Sequence, residues 1–357
     1  MRKPLASVIV LNWNGSAYLE RCLDSLKKQT YENFEIILVD NGSTDGSLDI
    51  ISQRYHDTVK LIKNEYNLGF AEGNNIGIGF AQGKYIITLN NDTESDPDWI
   101  TQLVSAAEEN DSIGMCASRI LLFENPGVID SVGVKIYFDG TSKQRGHLET
   151  DRGQYSHSEE VLLPSACAAL YRKQMLEEVG VFDKDFFFYC EDTDLGLRGR
   201  FAGWKAVYVP KAKVRHLYSG TGGRFSPLKA YHVERNHFWI ALKFFPLPLL
   251  LALPLFTLLR IFVQTLSVLL LSDRKSSPTE KVRKPQIFIA VLKAYGSLGR
   301  SLPTVFRKRK AIWGKKKTKD PEIYGWFKRF GLKMEDLVLV NNFAGGAGSP
   351  GKKNACM

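Results

Sequence analysis

Four stretches of nearly unbroken apolar sequence limit what this chain can fold into: LASVIVLNW (5–13), FEIILVD (34–40), TVKLIK (58–63) and KYIITLN (84–90). Helical patterns separate them at 17–29, 46–54 and 71–82, the first of which reads AYLERCLDSLKKQ. Short strands rich in Ile and Val, alternating with helices, predict βαβ units and a parallel sheet covered on both faces. Ligands of such sheets bind beyond the carboxyl ends of the strands. The residues just after each strand are therefore the ones to inspect.

Those residues share a chemistry. The first strand runs into NWNG, the second into DNGSTDGS, the third into NEYNLGFAEGNN and the fourth into NNDT. One polar loop is ordinary turn chemistry, and Ser43, Thr44 and Asp45 suit helix caps as well as ligand contacts. Four such loops at one sheet edge predict a crevice built to hold a polar ligand. A competing motif, GIGFAQG (77–83), is one residue longer than the dinucleotide fingerprint and lies inside a helical pattern. Its glycines read as helix packing and a loop, which argues against a dehydrogenase.

Further along, residues 127–160 read as a hairpin with a polar loop, 161–183 as a strand then a helix, and 190–210 as a helix then a strand. The run EDTDLGLR opens that helix, and a helix N-terminus favours carboxylates such as Glu191 and Asp192. Asp194 and Arg198 are spaced to pair on one helix face.

The net charge of +10 is uneven: residues 273–357 hold 20 Lys/Arg against 6 Asp/Glu, which leaves the first 272 residues slightly acidic. Nucleic acid and an anionic membrane surface both suit such a tail, and the neighbouring sequence favours the membrane. Residues 238–271 are the most hydrophobic part of the chain, but their longest uncharged run, 244–259, is 16 residues and holds Pro246, Pro248 and Pro254 before Arg260 interrupts. That falls short of the ~20 residues a span needs. A helix lying in the interface, or a re-entrant hairpin, is expected instead. A second helix at 286–298 gathers Ile287, Phe288, Val291, Leu292, Tyr295 and Leu298 on one face beside basic runs, as anionic lipid would require. The start of the chain lacks the features of a secretory signal. Five cysteines without CxxC spacing predict reduced thiols of a cytosolic compartment.

The ordered set VIVLNWNG, ILVDNGSTDGS, NLGFAEGNN, TLNNDT and YCEDTDLGLRGRFAGW resembles the family 2 glycosyltransferases, and within them the bacterial rhamnosyltransferase type. The resemblance spans roughly residues 5–240. It implies a GT-A fold, that is, a Rossmann-like mixed α/β sheet, followed by a C-terminal helical membrane-associated region. It implies a catalytic domain over 1–237, while the apolar and basic patterning predicts a membrane-associating region over 238–335 and the low-complexity composition a disordered tail over 336–357. By the same resemblance Asn12, Asn14, Asp40, Gly69 and Asn74 face the nucleotide of a sugar donor. Asn90, Asn91 and Asp92 stand at the family's Asp-x-Asp metal motif, with Asn90 replacing the first aspartate. Asp92 and His216 would then be the protein's ligands to Mg²⁺ or Mn²⁺, oxygen ligands suiting either ion and the imidazole tilting the choice towards Mn²⁺. The aspartate of the Glu191–Asp192 pair becomes the base that deprotonates the acceptor hydroxyl. The implied activity is inverting sugar transfer, rhamnose from dTDP-rhamnose foremost, to a glycan or lipid-linked glycan at the cytoplasmic membrane face, with no nucleic acid involved. The chain lacks the Gln-x-x-Arg-Trp motif of processive synthases and the N-terminal glycine-rich phosphate loop of sugar-nucleotide pyrophosphorylases. A catalytically inactive GT-A-like protein bound to the membrane surface is the remaining alternative.

Overall fold

Elements β1 (Ala6–Asn12), α1 (Ser16–Lys27), β2 (Phe34–Asp40), α2 (Ser47–Arg54), β3 (Lys60–Lys63), α3 (Gly69–Phe80) and β4 (Tyr85–Asn90) alternate as the apolar pattern requires. The computed structural model describes residues 5–217, 227–271 and 278–337. β3, β2, β1 and β4 lie side by side and parallel, with Asn12 opposite Asp40 and Leu11 opposite Asn90. The polar strand ends therefore emerge together at one edge.

The chain continues through β5 (Thr93–Ser95), α4 (Trp99–Glu108), β6 (Ile113–Leu122), β7 (Ile129–Ser131), β8 (Val134–Ile136), β9 (Ser142–Gln144), β10 (Glu159–Val161), β11 (Ala168–Arg172), α5 (Lys173–Val179), α6 (Glu191–Phe201) and β12 (Lys205–His216). The main path of the sheet runs β10-β12-β6-β11-β4-β1-β2-β3, with β5 added to β12 and β7 to β6. It is mixed, because β11 enters antiparallel between β4 and β6. The segment read as one strand from residue 161 holds two. Pro164 lacks the N–H a ladder needs, and between β10 and β11 the chain crosses from the sheet edge to its centre. β8 and β9 form the expected hairpin.

Strand alternation divides the interior. Val8 and Val10 of β1 face a core with α1, α2 and α4, while Ile9 faces a second core with α3, α5 and α6. The glycines of GIGFAQG behave as packing residues: a Cβ at Gly77 would stand 2.5 Å from the Ile9 side chain.

Helices α7 (Pro227–Phe244), α8 (Leu247–Leu271), α9 (Pro278–Gly314), α10 (Asp320–Phe330) and α11 (Met334–Leu337) follow. α7 to α10 share a third core with α6 and the segment before it, where Phe186, Leu197 and Phe201 meet Trp239, Phe244, Val305 and Trp326. α8 is longer than its uncharged run suggests: residues Leu247–Ser267 are long and apolar enough to cross a bilayer. The run misleads because Arg260 does not break the helix. It turns inward, pairing with Asp139 at 2.6 Å and Glu234 at 3.0 Å. Phe256, four residues earlier, stacks on Phe138 at 4.7 Å. The opposite face leaves Leu247, Leu251, Leu255, Leu258 and Phe262 each more than 60% exposed. On α9 the expected apolar face is split: Phe288 and Leu292 are exposed, whereas Tyr295 packs edge-on against Phe238 at 5.3 Å. Of the expected tail over 336–357, Asp336 and Leu337 belong to α11, and residues 338 onward lie outside the described residues.

Candidate active site

Because β1 and β2 end in register, Asn12 and Asp40 meet. The Asn12 amide donates to Asp40 Oδ1 at 2.9 Å and to Ser43 Oγ at 3.1 Å, while Asp40 Oδ2 accepts the Ser43 N–H at 3.0 Å. From β4 the Asn91 amide donates to Asn12 Oδ1 at 2.7 Å. A Cβ at Gly15 would stand 1.9 Å from Asn91 Nδ2, so the NWNG glycine is what admits this amide pair. Asn14, exposed and at φ 48°, accepts the Thr44 N–H at 2.8 Å. Three strand ends thus share one hydrogen-bonded network, and carboxylate and amide oxygens keep further acceptor capacity for a ligand. Asp45 is a cap: it accepts the N–H groups of Ser16 at 2.8 Å and Ser47 at 3.1 Å. Burial opposes its ionisation, but the bonds from Ser47 and Ser16 prevail and lower its pKa to about 2.

α3 begins at Gly69, whose φ of 83° suits glycine and whose Cβ would lie 2.6 Å from the Phe187 carbonyl oxygen. That oxygen accepts the N–H groups of Phe70 at 2.7 Å and Ala71 at 3.2 Å. Asn74 is turned into the protein and donates to the Phe70 carbonyl at 2.9 Å.

At the fourth strand end, the pairing of β5 with β12 sets His216 opposite Thr93, one residue from Asp92. His216 Nε2 lies 3.3 Å from Asp92 Oδ1 without hydrogen-bond geometry, and that buried oxygen has no hydrogen-bond partner. On its other side His216 Nδ1 is 2.7 Å from Asp130 Oδ2, and Asp130 Oδ1 is 3.1 Å from His147 Nδ1. Burial disfavours both charges, yet His147 and His216 hold the Asp130 carboxyl well below the usual carboxylate range. Burial would lower the His216 pKa, but the Cys167 thiol, Asp130 and Asp92 outweigh it and hold it well above the usual value. Among the described residues no three His, Cys, Asp or Glu side chains converge to hold a metal unaided. What is present fits a cation shared with a ligand, provided that the cation displaces the proton that Asp92 and Asp130 favour on His216: an orphaned carboxylate oxygen, a histidine nitrogen beside it, and a carboxylate that fixes the other ring nitrogen. Asn90 is half-buried at the end of β4.

Glu191 and Asp192 form the first turn of α6. Asp192 Oδ1 accepts the Thr193 N–H at 2.7 Å, and Oδ2 accepts the Ala166 N–H at 3.4 Å. Burial raises both carboxyls above their ordinary range, and Glu191 rises further because the Asp192 charge adds to its burial. Two backbone N–H groups stabilise Asp192 as a carboxylate, whereas Glu191 Oε2 is buried without a hydrogen-bond partner. Ala166 also connects the two halves of the site. Its neighbour Cys167 bonds His216 within range of the Asp92 charge, and the Cys167 carbonyl accepts the Asn90 N–H at 2.9 Å. Since consecutive Cα atoms are about 3.8 Å apart, the carboxylate of Asp192 and the Asp92–His216 pair flank the same dipeptide. Asp194 is buried and ion-paired both with Arg198, as its spacing predicts, and with Lys243 of α7.

The backbone entering α6 is strained. Phe187, Tyr189 and Cys190 all have φ between 66° and 67°. The Phe188 N–H bonds the Phe186 carbonyl at 2.8 Å across Phe187, a γ-turn at φ 66° and ψ −64°. At roughly 1–2 kcal/mol for each left-handed non-glycine residue, the turn stores on the order of 3–6 kcal/mol.

Sequence reading missed Asp130, His147, Cys167 and this turn. Asp130 had one local signal, a carboxylate in the otherwise apolar run VIDSVGV.

Comparison with known proteins adds an independent line. Residues 7–180 match the family model Glycosyl transferase family 2. The chain is 39% identical over 243 residues to an uncharacterized glycosyltransferase of Haemophilus influenzae, covering 65% of this chain and 70% of the relative. It is 31% identical over 254 residues to the N-acetylglucosaminyl-diphospho-decaprenol L-rhamnosyltransferase of Mycobacterium tuberculosis, covering 63% of this chain and 80% of the relative. Among solved structures, GalNAc-T7 with UDP, GalNAc and Mn²⁺ shares the fold at a TM-score of 0.57 and 16% identity, over 85% of this chain and 58% of that one.

Proposed function

This chain belongs to glycosyl transferase family 2, and we propose that it is an inverting enzyme that moves a sugar from a nucleoside-diphosphate donor to a hydroxyl of a lipid-linked glycan. The observation that carries this reading is the convergence of Asp192 and the Asp92–His216 pair on the Ala166–Cys167 dipeptide, beside the buried Asn12–Asp40–Asn91 network. Rhamnose from dTDP-rhamnose is the preferred donor, by analogy with the mycobacterial relative, whose name also supplies the lipid-diphosphate acceptor class.

In this mechanism the Asn12–Asp40–Ser43 cluster and the Gly69 end of α3 hold the nucleotide. Asp92 and His216 Nε2 would hold Mn²⁺ or Mg²⁺ together with donor phosphate oxygens, with Asp130 keeping the ring oriented. When bound, the cation neutralises charge that develops on the departing diphosphate. Asp192 accepts the proton of the acceptor hydroxyl as its oxygen attacks the anomeric carbon. The bond from that carbon to the diphosphate breaks on the opposite face, so the configuration inverts. Burial and the neighbouring Asp192 charge both raise the Glu191 carboxyl, and the role of base goes to Asp192, whose oxygens accept the Thr193 and Ala166 N–H groups.

Membrane attachment follows from α8 and α9. Arg260 ties the middle of α8 to Asp139 and Glu234, so a transverse orientation would draw buried charges into hydrocarbon. An in-plane helix instead offers lipid the exposed row from Leu247 to Phe262, while the exposed Arg300, Arg307 and Lys310 of α9 suit anionic headgroups. This is a monotopic arrangement on the face where nucleotide sugars are found, the cytoplasmic one.

The test is incubation with a panel of nucleotide sugars and a polyprenyl-diphosphate-linked acceptor, with and without Mn²⁺. The expected result is metal-dependent release of dTDP from dTDP-rhamnose and an inverted glycosidic product. Absence of turnover with every donor, metal and acceptor would favour an inactive surface-binding protein.

A further inference from the structure

The entry to α6 is held by a side chain that contributes nothing to the crevice itself. Asn236, in the middle of α7, is fully buried, and its amide nitrogen reaches three consecutive-turn carbonyls: Phe186 at 3.2 Å, Phe188 at 3.1 Å and Tyr189 at 2.7 Å. Its neighbour Arg235 donates to the carbonyls of Asp185 at 2.9 Å and Phe186 at 3.1 Å, and its Nε donates to Asn236 Oδ1 at 2.8 Å. These carbonyls belong to the left-handed turn at Phe187, Tyr189 and Cys190 that delivers Glu191 and Asp192. A backbone in that state persists only where its surroundings over-determine it. On the far side the Phe187 carbonyl, which the α7 residues leave free, is taken by the N-terminus of α3. The turn is thus clamped between the donor-side helix and a helix outside the family-matched segment, which ends at residue 180. The Lys243 ammonium, about two turns further along α7, completes the bracket by pairing with Asp183 at 2.8 Å and with Asp194.

We infer that Asn236 is a positioning residue for the transfer reaction, setting the direction of the Asp192 carboxylate by holding the strained turn 186–190 in shape. The inference rests on the reading of Asp192 as the base. It also makes the C-terminal helices part of the catalytic apparatus rather than only a membrane attachment: α7 must be docked for the base to point correctly.

A double-mutant cycle on the full chain tests this, with Asn236→Ala, Asp192→Asn and the combination assayed for sugar transfer and for nucleoside-diphosphate binding. Displacement of a reacting group by about 1 Å costs roughly 100-fold, so Asn236→Ala is expected to lower kcat by about that factor. Nucleotide affinity and donor KM are expected to stay near wild type. In the Asp192→Asn background, the same change is expected to alter the residual rate by less than about twofold, as for a residue that acts through Asp192. A full 100-fold loss in both backgrounds, or no loss in the wild-type background, would overturn the inference. If Asp192→Asn alone retains wild-type turnover, the assignment of the base fails first and is seen to do so independently. Asn236→Ser, which keeps a single donor at the site, is carried through the same cycle should the alanine variant not fold.

Discussion

Replacing Asp192 by asparagine separates catalysis from stability in a way the geometry defines. The amide is isosteric, and its oxygen can still accept the Thr193 N–H at 2.7 Å, so α6 keeps its first-turn bond. The amide nitrogen then faces the Ala166 N–H, at 3.4 Å in the native arrangement. Losing that contact, which leaves the Ala166 N–H unpaired, costs about 1–3 kcal/mol. Against this stands the relief of a buried charge. Burial raises the Asp192 carboxyl above its ordinary value, so the folded state binds the proton more tightly than the unfolded chain does. Such a group costs no stability below its unfolded pKa, and its cost grows as pH rises from the unfolded pKa to the folded one and is constant above it. The variant lacks this penalty, and it also removes the charge that helps keep Glu191 protonated. The two contributions oppose one another, and each net 1 kcal/mol moves the melting temperature by about 2–4 °C. Turnover behaves differently, because loss of a general base costs roughly 10²–10⁴-fold. The assay pairs initial rates with thermal melts at pH 5 and pH 8: wild type is expected to lose stability relative to the variant at the higher pH. Turnover within tenfold of wild type would refute the role of Asp192. So would activity lost only together with a collapse of the melting temperature.

Two further outcomes are expected. Asp130→Ala removes the carboxylate 2.7 Å from His216 Nδ1. Its Mn²⁺ requirement for turnover is expected to rise about 10–100-fold with nucleotide binding otherwise intact, and an unchanged metal activation curve would show that Asp130 does not orient the ring. Leu255→Glu and Phe262→Glu change residues that are 65% and 63% exposed on the outer face of α8. With roughly 1.5–3 kcal/mol lost for each large apolar side chain withdrawn from lipid, sedimentation with anionic vesicles is expected to weaken at least tenfold. Equal vesicle binding, or complete release of the wild-type protein by salt alone, would contradict insertion of this face.

The sequence carried the left half of the sheet because each element there announces itself locally. β2 was placed at its observed bounds and β1 and β4 within one residue, since apolar runs end abruptly at Asn12, Asp40 and Asn90. The polar loops that follow are neighbours for a reason visible in the pattern, namely parallel strands joined by helices. What lies beyond β4 was less legible because it depends on distant pairing. His216 comes to Asp92 only through β5 joining β12, and Asp130 reaches His216 across 86 residues of chain. Neither contact leaves a spacing that can be counted. The strained turn was hidden for another reason. Phe187, Tyr189 and Cys190 are not residues that favour left-handed backbone, so their conformation is imposed by Asn236 and Arg235 from α7. The length of α8 is not legible in its uncharged run because the charge that ends that run, Arg260, finds Asp139 and Glu234 within the fold.

The central claim is that Asp92 and Asp192 serve one reaction in different capacities, the first through a cation on the donor diphosphate and the second on the acceptor hydroxyl. The most direct measurement is the affinity of the full-length protein for dTDP as Mn²⁺ is titrated, in wild type, Asp92→Asn and Asp192→Asn. The account predicts that Mn²⁺ tightens dTDP binding in wild type and Asp192→Asn and has no effect in Asp92→Asn. Retention of the full Mn²⁺ effect by Asp92→Asn would contradict it.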